Sequence, residues 1–387
     1  MIKKKISILG STGSIGKTLI NILKKDKKNI EILLLTTNKN VKLLIEQAKF
    51  FNVKNVIITD KKKFLEAKIN IKNISIHNNF DFLNTIFKKK KIDYTMNAIS
   101  GFEGLEPTLK IIKYSKKIAI ANKEAIICGW SLILNELKKN KTEFIPIDSE
   151  HFSIWSLINN TKKENIEKVY ITASGGPFYN YSLKNFKTIT ITDALKHPNW
   201  KMGKKITIDS ATMMNKVFEI IEAKKIFDFD YKQLAILVHP KSYVHAIVKF
   251  KNGITKMLIH DTNMTIPIFN SLYPNYQKNI NTKNIDFKIV NNLSFQKPDS
   301  KKFPIIEILK HLPKKNSLFE TVIVSANDRL VNLFLQKKIK FNDISKLLLK
   351  VIKSNEFKKF KYRVPQNLRE IKILNNYVSL KIHSLSV

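Results

Sequence analysis

Several residue types are scarce in this chain of 387 residues, and each scarcity excludes a class of protein. Cys128 is the single cysteine, which excludes an internal disulfide and a cysteine-based metal cage. No apolar run approaches the roughly 18 residues that a bilayer-spanning helix needs. The basic start of the chain is followed by an apolar stretch that stops at Gly10, which is too short for a signal peptide. We therefore expect a cytoplasmic protein with no membrane partner.

Arginine is almost absent, although the formal net charge is +38. Arg329, Arg363 and Arg369 are the only arginines, and every other strongly basic residue is lysine. Proteins that read nucleic acid favour arginine because its planar guanidinium binds phosphates and bases in a bidentate manner. Lysines spread along a whole chain are typical of a solvated surface. We expect an anionic small substrate and no nucleic acid, and we keep a lysine-rich nucleic-acid-binding protein as an alternative.

The order of apolar patterns predicts an α/β protein with three domains, since the chain is too long for one core. Strand-like and helical segments alternate in residues 1–148, which is typical of a Rossmann-like parallel sheet. Residues 149–273 predict a central α+β catalytic domain, in which Asn252-Gly253 is a hairpin signal. Residues 274–302 are polar and aperiodic, as in a linker. Residues 303–387 predict a small C-terminal helical domain.

The individual elements follow from apolar periodicity. The predicted strands are 6–9, 30–35, 55–59, 94–98, 117–121, 143–147, 168–172, 234–238, 244–250 and 254–259. The main predicted helices are 15–25, 41–51, 211–227, 317–337, 342–353 and 367–382.

A glycine-rich loop follows the first predicted strand and opens a helix. Gly10, Gly13 and Gly16 allow a tight turn and a close approach to a pyrophosphate, which a helix N-terminus stabilises. The alternative is an ordinary turn with a helix cap. The second strand ends in Thr-Thr-Asn38-Lys39-Asn, without the carboxylate that would bind a ribose hydroxyl and repel a 2′-phosphate. The pattern favours NADP(H) over NAD(H).

Two carboxylates follow the predicted strand 143–147. Asp148 and Glu150 are two residues apart, and in an extended backbone both would point to the same side. Such a pair is able to chelate Mg²⁺ or Mn²⁺, which prefer oxygen ligands. The alternative is a solvated strand end.

A polar cluster lies where the predicted helix 211–227 begins. Asn215, Lys216 and Glu219 share one side of that helix. Together with Ser210, Lys216 predicts a phosphate-binding group, and Glu219 is a candidate third metal carboxylate. We interpret Glu222, one turn later, as an ordinary helix charge. The alternative for the whole cluster is surface polarity.

Two further segments combine glycine or proline, which interrupt helices and strands, with polar side chains. Ser174-Gly-Gly offers flexible backbone amides and a hydroxyl for an anion. His197-Pro-Asn-Trp200-Lys-Met-Gly203 places an aromatic ring in a polar loop. We predict a lid over residues 194–205 that excludes water, with a buried loop anchor as the alternative.

Six segments in this order resemble the 1-deoxy-D-xylulose 5-phosphate reductoisomerase family. They are Gly10–Gly16, Ala121–Glu124, Asp148–His151, Ser174–Phe178, His197–Gly203 and Asp209–Lys216. The resemblance implies NADPH, one divalent cation (Mg²⁺ or Mn²⁺), a sugar phosphate substrate and a homodimer. It implies rearrangement and reduction of 1-deoxy-D-xylulose 5-phosphate to 2-C-methyl-D-erythritol 4-phosphate, on the way to isoprenoid precursors.

The resemblance also implies a role for each matching residue. The cofactor-binding residues would be Thr12, Gly13, Ser14, Ile15, Asn38, Lys39, Asn40, Asn122, Glu124 and Gly203. The metal ligands would be Asp148, Glu150 and Glu219. The substrate-binding residues would be Lys123, Ser149, Glu150, Ser174, His197, Ser210, Asn215, Lys216 and Glu219. The residues closest to the chemistry would be Lys123, Glu150 and His197, with Trp200 in the lid.

The chain departs from the family pattern at a few positions. Asn38 and Val217 stand where the family has glycine, and Val217 adds bulk next to the Asn-Lys pair. A semialdehyde-type dehydrogenase is the rival enzyme class, because it also has a glycine-rich nucleotide loop. That class needs a nucleophilic cysteine, for which Cys128 is the single candidate.

Overall fold

A computed structural model describes residues 3–88, 91–159, 161–274 and 278–386. The chain divides into two compact units. The first unit runs to Ile126 and adds Trp130–Asp148 and Met264–Asn281. The second unit comprises Ile127–Gly129, Ser149–Asn263 and the residues from Thr282 onward.

The strands and helices are as follows. The strands are β1 Lys4–Leu9, β2 Ile30–Thr37, β3 Asn55–Ile58, β4 Ser75–His77, β5 Tyr94–Asn97, β6 Lys117–Ile120, β7 Glu143–Pro146, β8 Ile166–Ala173, β9 Leu234–Val238, β10 Val244–Phe250 and β11 Thr255–Ile259. The helices are α1 Ser14–Lys24, α2 Val41–Phe51, α3 Lys61–Asn70, α4 Leu83–Phe87, α5 Leu105–Ile112, α6 Lys123–Asn140, α7 Ser149–Leu157, α8 Ile191–Ala194, α9 Lys204–Thr212, α10 Met214–Phe227, α11 Thr265–Leu272, α12 Phe287–Val290, α13 Phe319–Leu335, α14 Phe341–Lys353, α15 Asn355–Lys358 and α16 Leu368–Ser386.

The first unit is built on a seven-stranded parallel sheet in the order β4-β3-β2-β1-β5-β6-β7. Its central strands are largely apolar and buried, as expected for a parallel sheet with both faces covered. The predicted Rossmann-like fold is confirmed. Strand β4 was missed, because three half-exposed residues show no alternation that a sequence pattern can detect.

Helix α11 packs with this sheet, although it lies far along the chain. Ile268 and Leu272 are fully or almost fully buried in the core of the first unit. The Tyr94 hydroxyl lies 2.7 Å from Ser271 Oγ, and Lys4 Nζ donates to the Leu272 carbonyl at 2.7 Å. The apolar face of α11 therefore places Met264–Asn281 in the same unit as the parallel sheet. The predicted central domain, in contrast, extended to residue 273. The three-domain division stays a prediction.

The second unit contains a four-stranded mixed sheet in the order β11-β10-β8-β9. Strands β8 and β9 are parallel, and β10 is antiparallel to both β8 and β11. The predicted hairpin between β10 and β11 is confirmed, with Gly253 in the left-handed region at φ +89°. In the segment predicted as a linker, the structure shows the short helix α12 and a bridge from Gln296 to Val238.

The predicted helix 211–227 is interrupted. Met213 adopts φ +69°, so α9 ends at Thr212 and α10 starts at Met214. A left-handed methionine is unfavourable by roughly 1 kcal/mol or more, and it is only 1% exposed here. The apolar pattern runs through this break, which is why the sequence predicts one helix. The break fixes the turn between Ser210 and Asn215.

The helical segments predicted near the C-terminus correspond to α13, α14 and α16. Most residues of α13 are buried, and α14 is strongly amphipathic. In the part of the chain that the structure describes, no helix is both long and apolar enough to cross a bilayer.

Candidate active site

The glycine-rich loop lies between β1 and α1, at the place where the strand order of the parallel sheet reverses. Gly10 has φ +80°, and Gly13 caps α1. A Cβ on Gly16 would lie 2.3 Å from the Gly10 carbonyl oxygen, so the loop and the helix approach more closely than any other residue permits. This geometry is the one that brings a pyrophosphate onto backbone N–H groups.

Three residues outside the loop fix its conformation. The Gly10 N–H donates to Thr36 Oγ1 at 2.8 Å, and the hydroxyls of Thr12 and Thr37 lie 2.6 Å apart. Gln47 on α2 is 4% exposed, and its amide donates to the Ser11 carbonyl at 3.1 Å. The sequence did not indicate Gln47, because no short motif links a helix glutamine to a loop some 36 residues away.

The residues predicted for the adenosine side follow β2 and are exposed. The Asn38 amide donates to Thr59 Oγ1 at 2.9 Å, and Asn40 caps α2 by accepting from the Leu43 N–H at 3.2 Å. Lys39 lies between them and is exposed to solvent. This edge has the positive charge that a 2′-phosphate requires.

The segment Asn122-Lys-Glu124 begins α6, and all three residues are less than 10% exposed. Asn122 accepts from the Ala125 N–H at 2.9 Å and donates to the Ile99 carbonyl at 2.5 Å and to the Gly101 carbonyl. Its side chain therefore shapes the backbone around the edge of the sheet. Lys123 forms an ion pair with Asp148 inside the first unit.

Two buried carboxylates of the second unit converge on one ammonium group. Lys216 Nζ lies 2.8 Å from Glu150 Oε1 and 2.5 Å from Glu219 Oε2. Asn215 also donates to Glu219 Oε1 at 2.5 Å, and Ser149 bonds to Glu150. Burial alone would lower the pKa of Lys216, but Glu150 and Glu219 outweigh it and raise that pKa. The predicted shared face of Asn215, Lys216 and Glu219 is confirmed.

A third carboxylate belongs to the same group. One carboxylate oxygen from each of Asp148, Glu150 and Glu219 lies within 4.8 Å of the other two. Asp148 ends the first unit and is joined to α7 through Ser149. Three carboxylate oxygens at this spacing fit a hard divalent cation, which prefers oxygen ligands.

The local geometry that brings Asp148 and Glu150 together differs from the predicted one. Strand β7 ends at Pro146, and Glu150 lies in the first turn of α7. The expectation of an extended backbone through Glu150 is therefore wrong. Asp and Ser are favoured at helix starts, and Asp148-Ser149 stands where α7 begins.

The interpretation of Glu222 as an ordinary helix charge is wrong. It is 2% exposed, and its carboxylate lies 3.6 Å from His151 Nδ1. His151 Nε2 lies 2.9 Å from the Glu219 carbonyl oxygen, so this fully buried imidazole connects α7 to α10. Helical periodicity places Glu222 on a face but does not reveal which element covers that face.

His197 gathers two hydroxyls that the sequence placed in separate segments. Its Nε2 lies 3.2 Å from Ser174 Oγ and 3.1 Å from Ser210 Oγ. Its Nδ1 accepts from the N–H groups of Asn199 and Trp200, so the neutral ring carries its proton on Nε2. Burial, and then the positive charge of Lys216, lowers the pKa of His197 to about 4.

The predicted lid spans the connection from α8 to α9. The Asn199 amide donates to the Pro240 carbonyl at 2.7 Å, which anchors the middle of this segment. Trp200 is half-buried, and Gly203 is exposed at the start of α9. These contacts agree with the loop-anchor alternative, and closure over a substrate stays a prediction.

Cys128 lies inside α6 and is 2% exposed. A thioester-forming cysteine must be reached by its substrate, and this burial gives the semialdehyde route no support.

Comparisons with known proteins agree along the chain. Models of 1-deoxy-D-xylulose 5-phosphate reductoisomerase and its C-terminal domains match residues 6–129, 144–227 and 260–376. The curated 1-deoxy-D-xylulose 5-phosphate reductoisomerase of Pelagibacter ubique strain HTCC1062 is 65% identical over 99% of this chain and 100% of its own length.

Solved structures are similar over the same extent. The reductoisomerase from Zymomonas mobilis in complex with NADPH has a TM-score of 0.88 and 30% identity, covering 99% of each chain. A DOX-P reductoisomerase in complex with NADPH, fosmidomycin and magnesium has a TM-score of 0.89 and 27% identity, covering 99% of this chain and 98% of the other.

Proposed function

We infer the activity from one premise: the chain belongs to the 1-deoxy-D-xylulose 5-phosphate reductoisomerase family. The protein is an NADPH- and divalent-metal-dependent enzyme that isomerises and reduces 1-deoxy-D-xylulose 5-phosphate. Its product is 2-C-methyl-D-erythritol 4-phosphate, an intermediate of isoprenoid precursor synthesis. The observation that carries this function onto the chain's own residues is the group of three carboxylates Asp148, Glu150 and Glu219.

We propose these three residues as the metal ligands. The ammonium of Lys216 already bridges Glu150 and Glu219, which shows that both side chains are oriented to share one positive charge. Mg²⁺ and Mn²⁺ select such all-oxygen ligand sets. His151 joins α7 to α10, and Asn215 orients the Glu219 carboxylate within α10.

We propose that the first unit binds NADPH. The loop Thr12–Ile15 would present its N–H groups to the pyrophosphate, and Asn38, Lys39 and Asn40 would meet the adenosine 2′-phosphate. Asn122 and Glu124 are the residues of this unit that we assign to the nicotinamide end.

We propose that the phosphate of the substrate binds to the group formed by Ser174, His197, Ser210, Asn215 and Lys216. A neutral His197 donates from Nε2 and lets both serine hydroxyls turn toward an anion. The ammonium of Lys216, which pairs with Glu150 and Glu219 in this structure, would turn toward the phosphate and add positive charge there. Binding energy from this remote end is what orders the reacting end of a small substrate.

The reacting end would meet Lys123, Ser149 and Glu150. When bound, the divalent cation supplies Lewis acidity toward the ketose carbonyl, and NADPH supplies the hydride. We assign to Lys123, which is ion-paired with Asp148 and 7% exposed, the stabilisation of negative charge on a substrate oxygen. We assign to Glu150 the acceptance of a hydrogen bond from a substrate hydroxyl. Trp200 would help to exclude water during rearrangement.

The direct test is NADPH oxidation by the purified chain with 1-deoxy-D-xylulose 5-phosphate. We expect turnover with Mg²⁺ or Mn²⁺, loss of turnover after chelation, and recovery when either cation is restored. The measurement is the decay of NADPH absorbance, with NADH as the matched cofactor control. Turnover that is insensitive to a chelator would contradict the metal role. Oxidation of NADPH by an acyl phosphate, with release of an aldehyde and inorganic phosphate, would instead favour the semialdehyde class.

We also propose that the protein is a homodimer that pairs through β11. This strand ends its sheet among the described residues, so one row of its backbone groups has no strand partner there. Met257 and Ile259 on one face are 46% and 37% exposed. An exposed apolar edge strand is a ready template for a second copy in antiparallel pairing.

Replacing Met257 and Ile259 by lysine is expected to give a monomer, because like charges would face each other across the two-fold axis. Light scattering coupled to size exclusion measures the mass. The matched control is Ile69→Lys, an apolar residue in α3 that is 80% exposed. A dimer in the double variant would exclude β11 as the interface.

A further inference from the structure

A stack of two imidazoles lies in the second unit, next to the segment that carries Trp200. The rings of His245 and His260 are nearly parallel, with centroids 3.7 Å apart and planes inclined by 15°. They are 1% and 7% exposed, respectively. None of the roles proposed above uses either ring, and two buried histidines in contact need a reason.

A β-bulge aims His245 out of the regular alternation of its strand. Val244 pairs with Ile259 and Ala246 pairs with Leu258, so His245 is the extra residue of β10. Bulges commonly redirect a side chain beside a functional site. His245 Nε2 lies 3.1 Å from the His260 carbonyl oxygen, and this hydrogen bond holds the ring against its neighbour.

His260 is held from the other side. Its Nδ1 lies 2.7 Å from the Asp261 carbonyl oxygen, so the neutral ring carries its proton there. Burial lowers the pKa of His260, although Asp261 and Glu150 act in the opposite direction. A neutral ring stacks without repelling a second imidazole, so the pair acts as packed aromatic surface.

The stack continues toward the proposed substrate site. The Trp200 ring meets His245 edge-on, with centroids 6.1 Å apart and planes at 75°. The backbone N–H of Trp200 donates to His197 Nδ1 at 2.9 Å. One continuous series of contacts thus joins His260 to His245, to Trp200 and to His197.

We propose that His260 is a positioning residue for the reaction. The His260 ring packs against His245 and keeps it in contact with the Trp200 ring. The Trp200 backbone N–H in turn orients the His197 imidazole. This inference rests on the proposed function, in which His197 binds the substrate phosphate. The effect should therefore appear in substrate affinity rather than in cofactor affinity.

The test compares His260→Ala with His260→Phe. The alanine variant removes the stack, and we expect KM for 1-deoxy-D-xylulose 5-phosphate to rise roughly 3- to 10-fold, the size of one lost aromatic contact. The change in kcat should stay within about twofold, as should the change in NADPH affinity. The phenylalanine variant keeps a flat ring and should restore KM to within about twofold of the wild-type value.

His239→Ala is the matched control. His239 is also fully buried, lies 5.0 Å from the Phe295 ring and bonds through Nδ1 to the Ser294 carbonyl at 3.1 Å. It should lower the thermal midpoint as His260→Ala does, while leaving KM unchanged. Equal KM increases in both alanine variants, or no rescue by phenylalanine, would reduce His260 to a general packing residue.

A second readout does not depend on turnover. In a chain carrying Trp130→Phe and Trp155→Phe, the tryptophan emission comes from Trp200 alone. His260→Ala should shift and broaden that emission, and His260→Phe should not. An unchanged spectrum would overturn the positioning role even in an active enzyme. Absence of wild-type turnover together with the spectral shift would instead count against the proposed function alone.

Discussion

Glu219→Gln is expected to lower turnover by more than about 100-fold, because loss of a direct metal ligand should exceed the loss found for supporting residues. Glu219 is 1% exposed, and its carboxylate completes the group with Asp148 and Glu150. Glutamine keeps the volume and one acceptor oxygen but removes the negative charge that a divalent cation requires. The change isolates charge from packing.

Two measurements separate metal binding from cofactor binding in this variant. Mn²⁺ affinity, measured by electron paramagnetic resonance, should fall in parallel with kcat. NADPH affinity should stay within about twofold, because the nucleotide loop is built from β1, β2, α1 and α2. Wild-type Mn²⁺ affinity in the variant would remove Glu219 from the metal site.

Glu222→Gln is the matched control for Glu219→Gln. Both acids lie on α10 and both are buried, at 1% and 2% exposure. Glu222 stands beside His151 rather than in the group of three carboxylates. We expect its loss to cost about tenfold or less, through a loosened contact between α7 and α10. Similar losses in both variants would mean that buried charge on α10, rather than metal ligation, sets the activity.

These carboxylates show how far the sequence predicts a site. Spacing brought Asp148 and Glu150 together, and helical periodicity brought Glu219 onto the face of Lys216, because both rules depend on local backbone geometry alone. The local rule was wrong at Glu150, where a helix replaces the strand, yet both residues still join the group. Because Asp148 and Glu150 are only two residues apart, the wrong backbone conformation did not separate them.

The parts that the sequence missed depend on tertiary packing. Nothing local distinguishes Glu222 from a solvated acid, because its burial is decided by His151 on another helix. Gln47 and the left-handed Met213 were missed for the same reason. The parallel sheet was predictable strand by strand since its buried strands carry continuous apolar runs, and only the short β4 lacks one. Sequence patterns thus indicated the candidate ligands, but not the residues on other elements that hold the site in place.

The second large effect is expected at Gly16. An alanine there would place Cβ 2.3 Å from the Gly10 carbonyl oxygen and 2.6 Å from Ser11 Cα, both of which are backbone atoms that no rotamer change can move. Overpacking of this kind costs about 2–3 kcal/mol when the backbone must shift. If that cost falls on the nucleotide-binding conformation, the Kd for NADPH rises roughly 30- to 150-fold.

Gly13→Ala separates this steric argument from a general sensitivity of the loop. Its Cβ would lie 3.5 Å from the Gly10 carbonyl oxygen, which is ordinary contact, and Gly13 has φ −75°, which any residue adopts. The thermal midpoint of the cofactor-free protein should therefore fall in Gly16→Ala and stay unchanged in Gly13→Ala. Calorimetry without NADPH measures the thermal midpoint, and fluorescence titration measures the Kd for NADPH. Should Gly16→Ala keep both the midpoint and the affinity of the wild type, the close approach of loop and helix is not what demands glycine, and the pyrophosphate must be bound by some other feature of the loop.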